Sequence, residues 1–397
     1  MSTGIATLLA VVFWALGLGV LVLARRTARH LQRDDALPIH LAGKIAVIVP
    51  CRGVDPKFST LLAGLAAQDT PDYRLYFVVA TADDGAVPLI RSFLAGHPGL
   101  GELVVFPPPL SFDAKIANMV GGVRAALADQ AIYLAFLDSD TVPGSGFLSH
   151  LLEPLASGQA MLSTGGRVLA PSQRNLPQWA TSLWMQCSLP GVAAPQWGGA
   201  WGGAMALAAA DVERFHLETV WANAFSDDAT LSIAVRKAGG RIVFVPSCLV
   251  PNPIHGGWRE ALNFMTRQAL ILRIHDRRLW YAAWVMAYPL LLALVTGANL
   301  VWGHGLWALA TAAALLPTVL GLYLLNEAAC CRAALPNVRL LSLPLLQQVG
   351  VIAALPVMHL LALVRSIAVR RFLWRGQMYE IVGGRFRRLE SGGPTEA

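Results

Sequence analysis

Two aspartates one residue apart, Asp138 and Asp140, are the first residues of this sequence whose type and spacing suggest chemistry. They end an apolar run that begins near Ala131, and Thr-Val-Pro follows them. Carboxylate oxygens suit Mg²⁺ or Mn²⁺, which proteins usually hold through one or two carboxylates together with the phosphates of a substrate. Asp-Ser-Asp before a proline is equally good turn chemistry. The motif alone therefore leaves a metal site and a solvated turn open.

Two more acidic pairs stand where secondary structure is expected to begin or end. Asp83 and Asp84 follow a predicted strand at 73–80, and Asp227 and Asp228 open a predicted helix. Such acids can accept hydrogen bonds from a ligand or take a proton during catalysis. An acid beside a glycine is also an ordinary turn residue, and an acid in the first turn of a helix caps it or complements its dipole.

The elements that must position these acids alternate between strand and helix. Strands are predicted at 44–50, 73–80, 103–106, 131–138, 160–163 and 241–246, and helices at 57–68, 115–127 and 229–238. Short strands that are apolar almost throughout are typical of a mostly parallel sheet covered on both faces. Ligands of such α/β sheets bind beyond the carboxyl ends of the strands. We therefore expect Asp83, Asp84, Asp138 and Asp140 to converge on one crevice.

The composition predicts membrane spans beside this α/β domain. The 397 residues are 55% hydrophobic and 14% charged, with a mean hydropathy of +0.52, which is too apolar for an ordinary soluble protein. Residues 1–24 are predicted to be an uncleaved anchor, because arginines follow its apolar run and place its C-terminal side in the cytosol. Residues 258–279 are predicted to be an amphipathic interfacial helix, and 280–368 a membrane region of three or four segments.

The position of the basic tail, residues 369–397, depends on the number of spans. The apolar blocks at 280–302, 305–325 and 340–364 are each long enough to cross a bilayer. One span before the domain and three after it would put the tail opposite the cytosol, against the positive-inside rule. We expect a cytosolic tail, which requires the last block to be a re-entrant hairpin or two short helices.

Charge and cysteine content exclude other classes. The net charge of +7 comes from basic residues clustered beside apolar segments, which suits anionic lipid headgroups or simply marks topology. No basic stripe interleaved with aromatic residues predicts a nucleic-acid partner. The five cysteines form no CxxC motif, so a disulfide framework or a zinc site is not expected.

The order of the motifs resembles a known family. The segments are Arg52-Gly-Val-Asp-Pro56, Asp83-Asp84, Ala114-Lys-Ile-Ala-Asn118, Asp138-Ser-Asp140, Phe225-Ser-Asp-Asp228 and Trp374-Arg-Gly-x-x-Tyr379. Together they resemble the inverting family 2 glycosyltransferases, and more narrowly the ceramide glucosyltransferase branch, which includes the bacterial hopanoid glycosyltransferases. The resemblance runs from about Lys44 to Gly383. It implies a GT-A-like nucleotide-sugar-binding domain, here at 41–257, with transmembrane helices on both sides of it.

The resemblance also implies roles for individual residues. Asp84, together with Asp83 and Arg52, would bind the nucleoside part of a UDP-sugar, and Lys115 and Asn118 would face its diphosphate. Asp138 and Asp140 would hold Mg²⁺ or Mn²⁺, although some members of the branch lack the second acid. Asp228, with Asp227 beside it, would be the general base that takes the proton of the acceptor hydroxyl.

One family element departs from its usual pattern. The Gln/Arg-x-x-Arg-Trp element is matched best by Phe264-Met-Thr-Arg267-Gln268, which keeps only the arginine. Arg267 and Gln268 are still expected near the diphosphate, with lipid-headgroup contact as the alternative for Arg267. Trp197 and Trp201 are predicted to line the acceptor entrance, with packing as the alternative. His255 is predicted to approach the acceptor or the diphosphate, with a structural role in its loop as the alternative.

The sequence thus predicts an integral, multi-pass membrane enzyme with a cytosolic catalytic domain, in the inner or plasma membrane if the source is bacterial. It would transfer a hexose, probably glucose, from a UDP-sugar to a lipid hydroxyl, with ceramide as the expected acceptor. The alternatives are a hopanoid or diacylglycerol acceptor, a polysaccharide synthase, and a membrane scaffold with a degenerate transferase domain.

Overall fold

The computed structural model describes residues 3–33, 43–70, 72–107, 113–194, 198–222, 224–374, 377–382 and 385–389. The chain divides into two compact units. The first, the helical unit, contains Met1–Arg33, Arg167–Ala193 and Pro251–Ala368. The second, the sheet unit, contains Asp34–Gly166, Ala194–Val250 and Val369–Ala397.

A mostly parallel seven-stranded sheet confirms the predicted fold class. Its strands are β1 Ile45–Pro50, β2 Tyr73–Val79, β3 Gly101–Val105, β4 Tyr133–Leu137, β5 Leu162–Pro171, β6 Ala204–Ala208 and β7 Ile242–Ile254, in the order β3-β2-β1-β4-β6-β5-β7. Strands β1 to β4 pair in parallel, whereas β6 runs antiparallel to β4 and β5. β6 has no strand signal in the sequence, because its small residues carry little strand preference.

Helices cover both faces of the sheet, because both faces of its strands are apolar. The helices of the sheet unit are α2 Phe58–Ala66, α3 Val87–Gly96, α4 Ala114–Ala128, α5 Phe147–Ala156, α8 Asp211–Arg214, α9 Leu217–Trp221 and α10 Asp227–Lys237. Along β1, Val47 and Val49 pack with Phe58 of α2 on one face. Ile48 packs with Met119 of α4 on the other, as the two-residue period of a strand requires.

The helical unit is built from long apolar helices and shorter amphipathic ones. Its helices are α1 Thr3–Leu31, α6 Leu176–Gln186, α7 Leu189–Val192, α11 Trp258–His275, α12 Arg277–Val285, α13 Tyr288–Val301, α14 Gly305–Ala313, α15 Leu316–Arg332 and α16 Leu345–Ala368. In the described chain, four stretches are long and apolar enough to cross a membrane: Gly4–Leu31, Arg277–Val301, Gly305–Arg332 and Leu345–Ala368.

Two sequence expectations about the C-terminal half need correction. The last apolar block is neither a hairpin nor two short helices, because α16 continues through Pro356 as one helix. The sequence predicted a basic tail after residue 368, but residues 371–388 contain three antiparallel strands. These are β8 Arg371–Trp374, β9 Gln377–Val382 and β10 Arg385–Arg388.

Candidate functional site

Asp84 is fixed by the loop that follows β1. Its carboxylate accepts hydrogen bonds from Gly53 N, at 2.9 and 3.0 Å to its two oxygens, and from Ala86 N at 2.9 Å. Gly53 has a φ of +65°, a left-handed conformation that glycine adopts readily. Asp83 beside it is exposed, and a hydrogen bond from Thr81 lowers the pKa of its carboxyl. The structure thus brings the ends of β1 and β2 together through Asp84.

The Asp138-Ser-Asp140 segment does form a turn, since Thr141 N donates to Asp138 O at 2.9 Å. The turn is tied to its surroundings on two sides. Ser139 Oγ donates to a carboxylate oxygen of Asp55. Thr141 Oγ1 donates to Gly203 O at 2.8 Å. The turn therefore holds both aspartates at the end of β4, and the two sequence interpretations are compatible.

Lys115 lies at the centre of the acidic cluster. Its Nζ is 2.8 Å from Asp138 Oδ1, 3.1 Å from Asp227 Oδ2 and 3.1 Å from Gly202 O. An ammonium group has three donors, and these three contacts use all of them. Burial lowers the pKa of Lys115, but Asp138 and Asp227 more than offset this and raise it. Lys115 is thus a permanent cation that joins the ends of β4 and α10.

The first turn of α4 places Lys115. Asp113 caps this helix by accepting from Lys115 N at 2.9 Å, as aspartate commonly does at an N-cap. Tyr379 of β9 donates its hydroxyl to the second oxygen of Asp113 at 2.5 Å, and Tyr379 is only 3% exposed. The C-terminal strands therefore support the helix that carries the lysine.

The same strands also hold the start of α10. Phe225, which precedes the Ser-Asp-Asp segment, lies 5.3 Å from the ring centroid of Phe372, 5.0 Å from that of Tyr379 and 4.2 Å from that of Phe386. Each offset or edge-to-face pair of this kind stabilises the folded protein by about 0.5–1.5 kcal/mol in addition to the effect of burying its apolar surface. The near-terminal Trp-Arg-Gly-x-x-Tyr motif thus acquires a structural role that its sequence did not reveal.

The two acids of α10 have different surroundings. Asp227 is only 6% exposed. Burial raises the pKa of Asp227 to about 7, with Asp228 and Asp138 adding to the shift and Lys115 opposing it. Asp228 is less buried. Its Oδ2 accepts from Gly202 N at 2.8 Å, and its Oδ1 accepts from Ala229 N at 2.7 Å and from the Ser226 hydroxyl.

Gly202 is a residue of the site whose function sequence reasoning missed. Its N–H holds Asp228 and its carbonyl holds Lys115. A Cβ on Gly202 would lie 2.5 Å from Asp227 Oδ2, so only glycine allows this approach. The pairs Gly198-Gly199 and Gly202-Gly203 are a sequence signal for close backbone approach, but they do not show which acid approaches.

The remaining predicted residues of the sheet unit are Asn118, Trp201, Arg52 and Trp197. Asn118 is 2% exposed. Its side chain donates a hydrogen bond to Cys51 O, just after the end of β1, at 3.1 Å. Trp201 is partly buried against the core under α2 and α5, with its ring over Gly203. Arg52 is exposed. Trp197 lies outside the described residues. Their ligand contacts stay predictions.

Three predicted residues belong to the helical unit. The Arg267 guanidinium carbon lies 5.5 Å from the ring centroid of Phe264, and that of Arg167 lies 5.5 Å from the same centroid. Phe264, which stands where the family element has glutamine or arginine, therefore takes part in two cation–π contacts. Gln268 follows on α11 and is half-buried. His255 is exposed, with Nδ1 2.9 Å from Ser172 Oγ.

The acidic cluster fits a metal that is shared with a substrate better than one that the protein binds alone. Among the residues described, no group of three or more His, Cys, Asp or Glu side chains is placed to hold a metal ion. Asp138 and Asp140 provide two carboxylates at one turn. Mg²⁺ and Mn²⁺ commonly take one or two protein carboxylates and complete their coordination with phosphate oxygens and water.

These features define the class of protein: a glycosyltransferase fold with acids at the carboxyl ends of a mostly parallel sheet. A solved structure with the same fold is the mannosyltransferase of Pyrobaculum calidifontis in complex with GDP-Man and Mn²⁺. The similarity covers 91% of this chain and 99% of that one, with a TM-score of 0.50 and 16% sequence identity.

The family follows from the sequence match. Residues 7–386 match the model of Glycosyl transferase family 21, and the chain belongs to this family. A curated relative, ceramide glucosyltransferase 1 of Caenorhabditis elegans, is 25% identical over 116 residues, which are 28% of this chain and 24% of that protein. The aligned part thus spans about a quarter of the relative's length. The predicted resemblance to ceramide glucosyltransferases is confirmed.

Proposed function

We propose that this protein is a membrane-bound inverting transferase that moves a hexose, glucose or a close relative, from a UDP-sugar to the hydroxyl of a lipid, with ceramide as the acceptor. The observation that carries the proposal is the cluster around Lys115. It joins Asp138, Asp227 and Gly202 at one end of the sheet, in a member of Glycosyl transferase family 21. The carboxylates of this cluster outnumber its single ammonium group, so it suits a diphosphate that binds together with a divalent cation.

The donor half of the site would use the ends of β1, β2 and β4. Asp84 and Asp83 would accept hydrogen bonds from the base or ribose, and Arg52, which precedes the Gly53 bound to Asp84, would donate to the nucleotide. Asp138 and Asp140 would hold a divalent cation, which when bound offsets the charge that develops on the departing diphosphate. Lys115 adds a fixed positive charge 2.8 Å from Asp138, and Asn118 follows it on α4.

The metal proposal gives a direct prediction. Because the protein supplies two carboxylates and the substrate the remaining ligands, EDTA should abolish transfer, and Mn²⁺ or Mg²⁺ should restore it. Calorimetry should show that UDP binding weakens when the cation is removed, and that in the presence of the cation it is weaker in Asp140→Asn than in wild type. Full activity in EDTA would refute the metal proposal.

The acceptor half of the site would use Asp228 as general base. In an inverting transfer the acceptor oxygen attacks C1 of the sugar from the face opposite UDP, the bond from C1 to UDP breaks, and the hydroxyl proton passes to a carboxylate. Asp227 is a poorer candidate, because it is buried and both its oxygens contact Lys115 at 3.1 and 3.2 Å. Asp228 is more accessible, and the Gly202 N–H fixes its orientation.

The four apolar helices support a lipid acceptor. A ceramide hydroxyl lies at the headgroup plane, so an enzyme that uses it must keep its site at that surface. We further propose that the sheet unit is cytosolic and that α11 lies at the membrane surface, with Arg267 and Gln268 towards the diphosphate. Trp197, Trp201 and His255 would lie along the path of the acceptor.

The decisive experiment is a substrate panel with the purified full-length protein in lipid nanodiscs. UDP-glucose, UDP-galactose, UDP-N-acetylglucosamine and GDP-mannose would each be combined with ceramide, a hopanoid polyol or diacylglycerol, and products read by mass spectrometry. We expect a single hexose on ceramide from a UDP-sugar. A hexosylated hopanoid or diacylglycerol would show that ceramide is the wrong acceptor. A polymer without lipid product would overturn the whole proposal.

A further inference from the structure

We propose that α16 does not cross the bilayer but lies in the membrane interface on the side of the sheet unit, with its exposed apolar face in contact with lipid. The chain would then cross three times, through α1, residues 277–301 and residues 305–332. Length and composition alone would give four crossings, because α16 is as long and as apolar as a membrane span.

The first support is the position of the C-terminal strands. Residues 34–166, 194–250 and 369–397 form one compact unit. Tyr379 bonds to Asp113 across 266 residues of chain, and Phe225 packs against Phe372. A folded unit of this kind stays on one side of a bilayer. The chain must therefore cross an even number of times between residues 250 and 369, whereas three candidate spans lie there.

The second support is what α16 packs on. Met358 and Ala362 lie in one buried cluster with Ala180 of α6 and Met265 of α11. Near the other end of α16, Val351 lies in a buried cluster with Trp179 of α6 and Leu322 of α15. Contacts with α6 and α11 thus run along most of α16.

Polar contacts also link α16 to these two helices. Trp184 Nε1 of α6 donates to His359 Nδ1 at 3.0 Å. Arg365 donates to Asn263 Oδ1 of α11 at 3.1 Å, and Arg273 of α11 donates to Ile367 O at 3.1 Å. From residue 351 to residue 367 the helix rises about 24 Å, most of the roughly 30 Å of a hydrocarbon core.

Neither partner helix crosses the membrane. α6 has 11 residues, about 16 Å, and the chain enters and leaves its segment, 167–193, from the sheet unit. α11 carries Arg259, Glu260, Arg267 and Arg273, a charge content that is too costly within a lone span. Because α16 lies along both helices, it stays at their depth.

Two of the other candidate spans, α1 and 305–332, pack on each other. α1 and α15 lie against each other through small residues: a Cβ on Gly17 would meet Thr318 Oγ1 at 3.4 Å, and one on Gly321 would meet Ala24 Cβ at 3.3 Å. Close packing through glycine and alanine is typical of helices that cross a bilayer together. We therefore assign the crossings to α1, 277–301 and 305–332.

The outer face of α16 fits lipid. Its large apolar side chains at positions 345, 346, 349, 357, 361, 364 and 367 are between 45% and 84% exposed. From 357 onwards they recur at three- and four-residue spacing, which is one face of a helix. Such a stripe is unfavourable in water but buries well at the boundary of headgroups and acyl chains, where in-plane helices of 20–30 residues are common.

Cysteine labelling tests the side of each segment. In a full-length variant with the exposed Cys187 and Cys331 replaced by serine, single cysteines would be placed at Arg91, His304 and Thr395. An impermeant maleimide would be added to sealed vesicles of known orientation. We expect Thr395 to label from the same side as Arg91, and His304 from the opposite side. Labelling of Thr395 together with His304 would mean four crossings and overturn the proposal.

Depth quenching tests α16 directly. A fluorophore at Leu346, Val357 or Val364 should be quenched equally by lipids with a shallow nitroxide. Labels at Leu316, Leu320 and Leu324 of the crossing helix α15 provide the matched control and should differ in depth. If α16 crossed, residues 346 and 357 would differ by about 16 Å, and a deep label at Val357 would refute the proposal. Both readouts are independent of transferase activity.

Discussion

Replacing Gly202 by alanine tests whether one backbone position sets the geometry of the acid–lysine cluster. The new Cβ would lie 2.5 Å from Asp227 Oδ2 and 3.1 Å from Asp227 Cγ. Restoring a van der Waals separation requires the carboxylate or the backbone to move by roughly 0.5–1 Å. The substitution adds one methyl group and removes no charge, so its effect reports geometry alone.

The carboxylate of Asp227 has little freedom to move away. Both its oxygens contact Lys115, and the same Nζ is bound to Asp138 and to Gly202 O. Overpacking of this kind typically lowers the free energy of unfolding by about 1–3 kcal/mol. A misplacement near 1 Å at a reacting centre can reduce the rate by about 10²-fold. We therefore expect kcat to fall roughly 10- to 100-fold.

The assay combines transfer kinetics with thermal unfolding of the purified protein. Gly199→Ala is the matched control, because its nearest neighbour is Ser232 Oγ at 3.8 Å, and it should behave like wild type. Gly202→Ala would also be made in an Asp227→Ala background, where the clash is gone. There it should cause almost no further loss of stability, since the two effects are coupled.

Two results would refute this reasoning. Equal kinetics and melting for Gly202→Ala and Gly199→Ala would show that the cluster tolerates the methyl group. An undiminished loss of stability in the Asp227→Ala background would show that Asp227 is not what the methyl group displaces.

Three further predictions concern single groups. Asp228→Asn should reduce turnover at least about 10²-fold with UDP affinity retained by calorimetry, and a collapse of that affinity would contradict the base assignment. The pKa of Asp227, raised to about 7, means that the folded protein binds more protons than the unfolded chain between about pH 4 and pH 7. The free energy of unfolding should therefore fall with rising pH in that window relative to Asp227→Asn, while Lys115 stays protonated throughout; parallel melting curves would be inconsistent with this. Tyr379→Phe removes the hydroxyl bound to the N-cap of α4 and should lower kcat several-fold with KM unchanged, whereas Tyr281→Phe, at an exposed residue, should have no effect; a change in KM alone would argue against a positioning role.

The sequence predicted much of the fold because its signals are local. Apolar strands at 44–50 and 73–80 could be recognised from their own residues, and β1 and β2 form there. The parallel arrangement then placed Asp84 and Asp138 at one edge. β6 escaped prediction because Ala204–Ala208 becomes a strand only through pairing with β4 and β5.

The contacts within the site were decided by tertiary structure. Lys115 and Asn118 share a helix, yet Lys115 faces the acids and Asn118 is buried against Cys51 O. Sequence spacing shows that two side chains lie near the same face, but which partner each reaches depends on strands far away in the chain. Asp227, which binds Lys115, is 112 residues from it.

The sequence by itself determined that an α/β domain with acids at its strand ends is joined to apolar helices, since composition and periodicity are properties of neighbouring residues. Only the tertiary structure decided that Gly202 orders two acids and a lysine, and that the C-terminal strands belong to the sheet unit. Both depend on contacts between distant segments, such as that of Tyr379 with Asp113. The free energy of these contacts comes from packing and hydrogen bonds that no local pattern encodes.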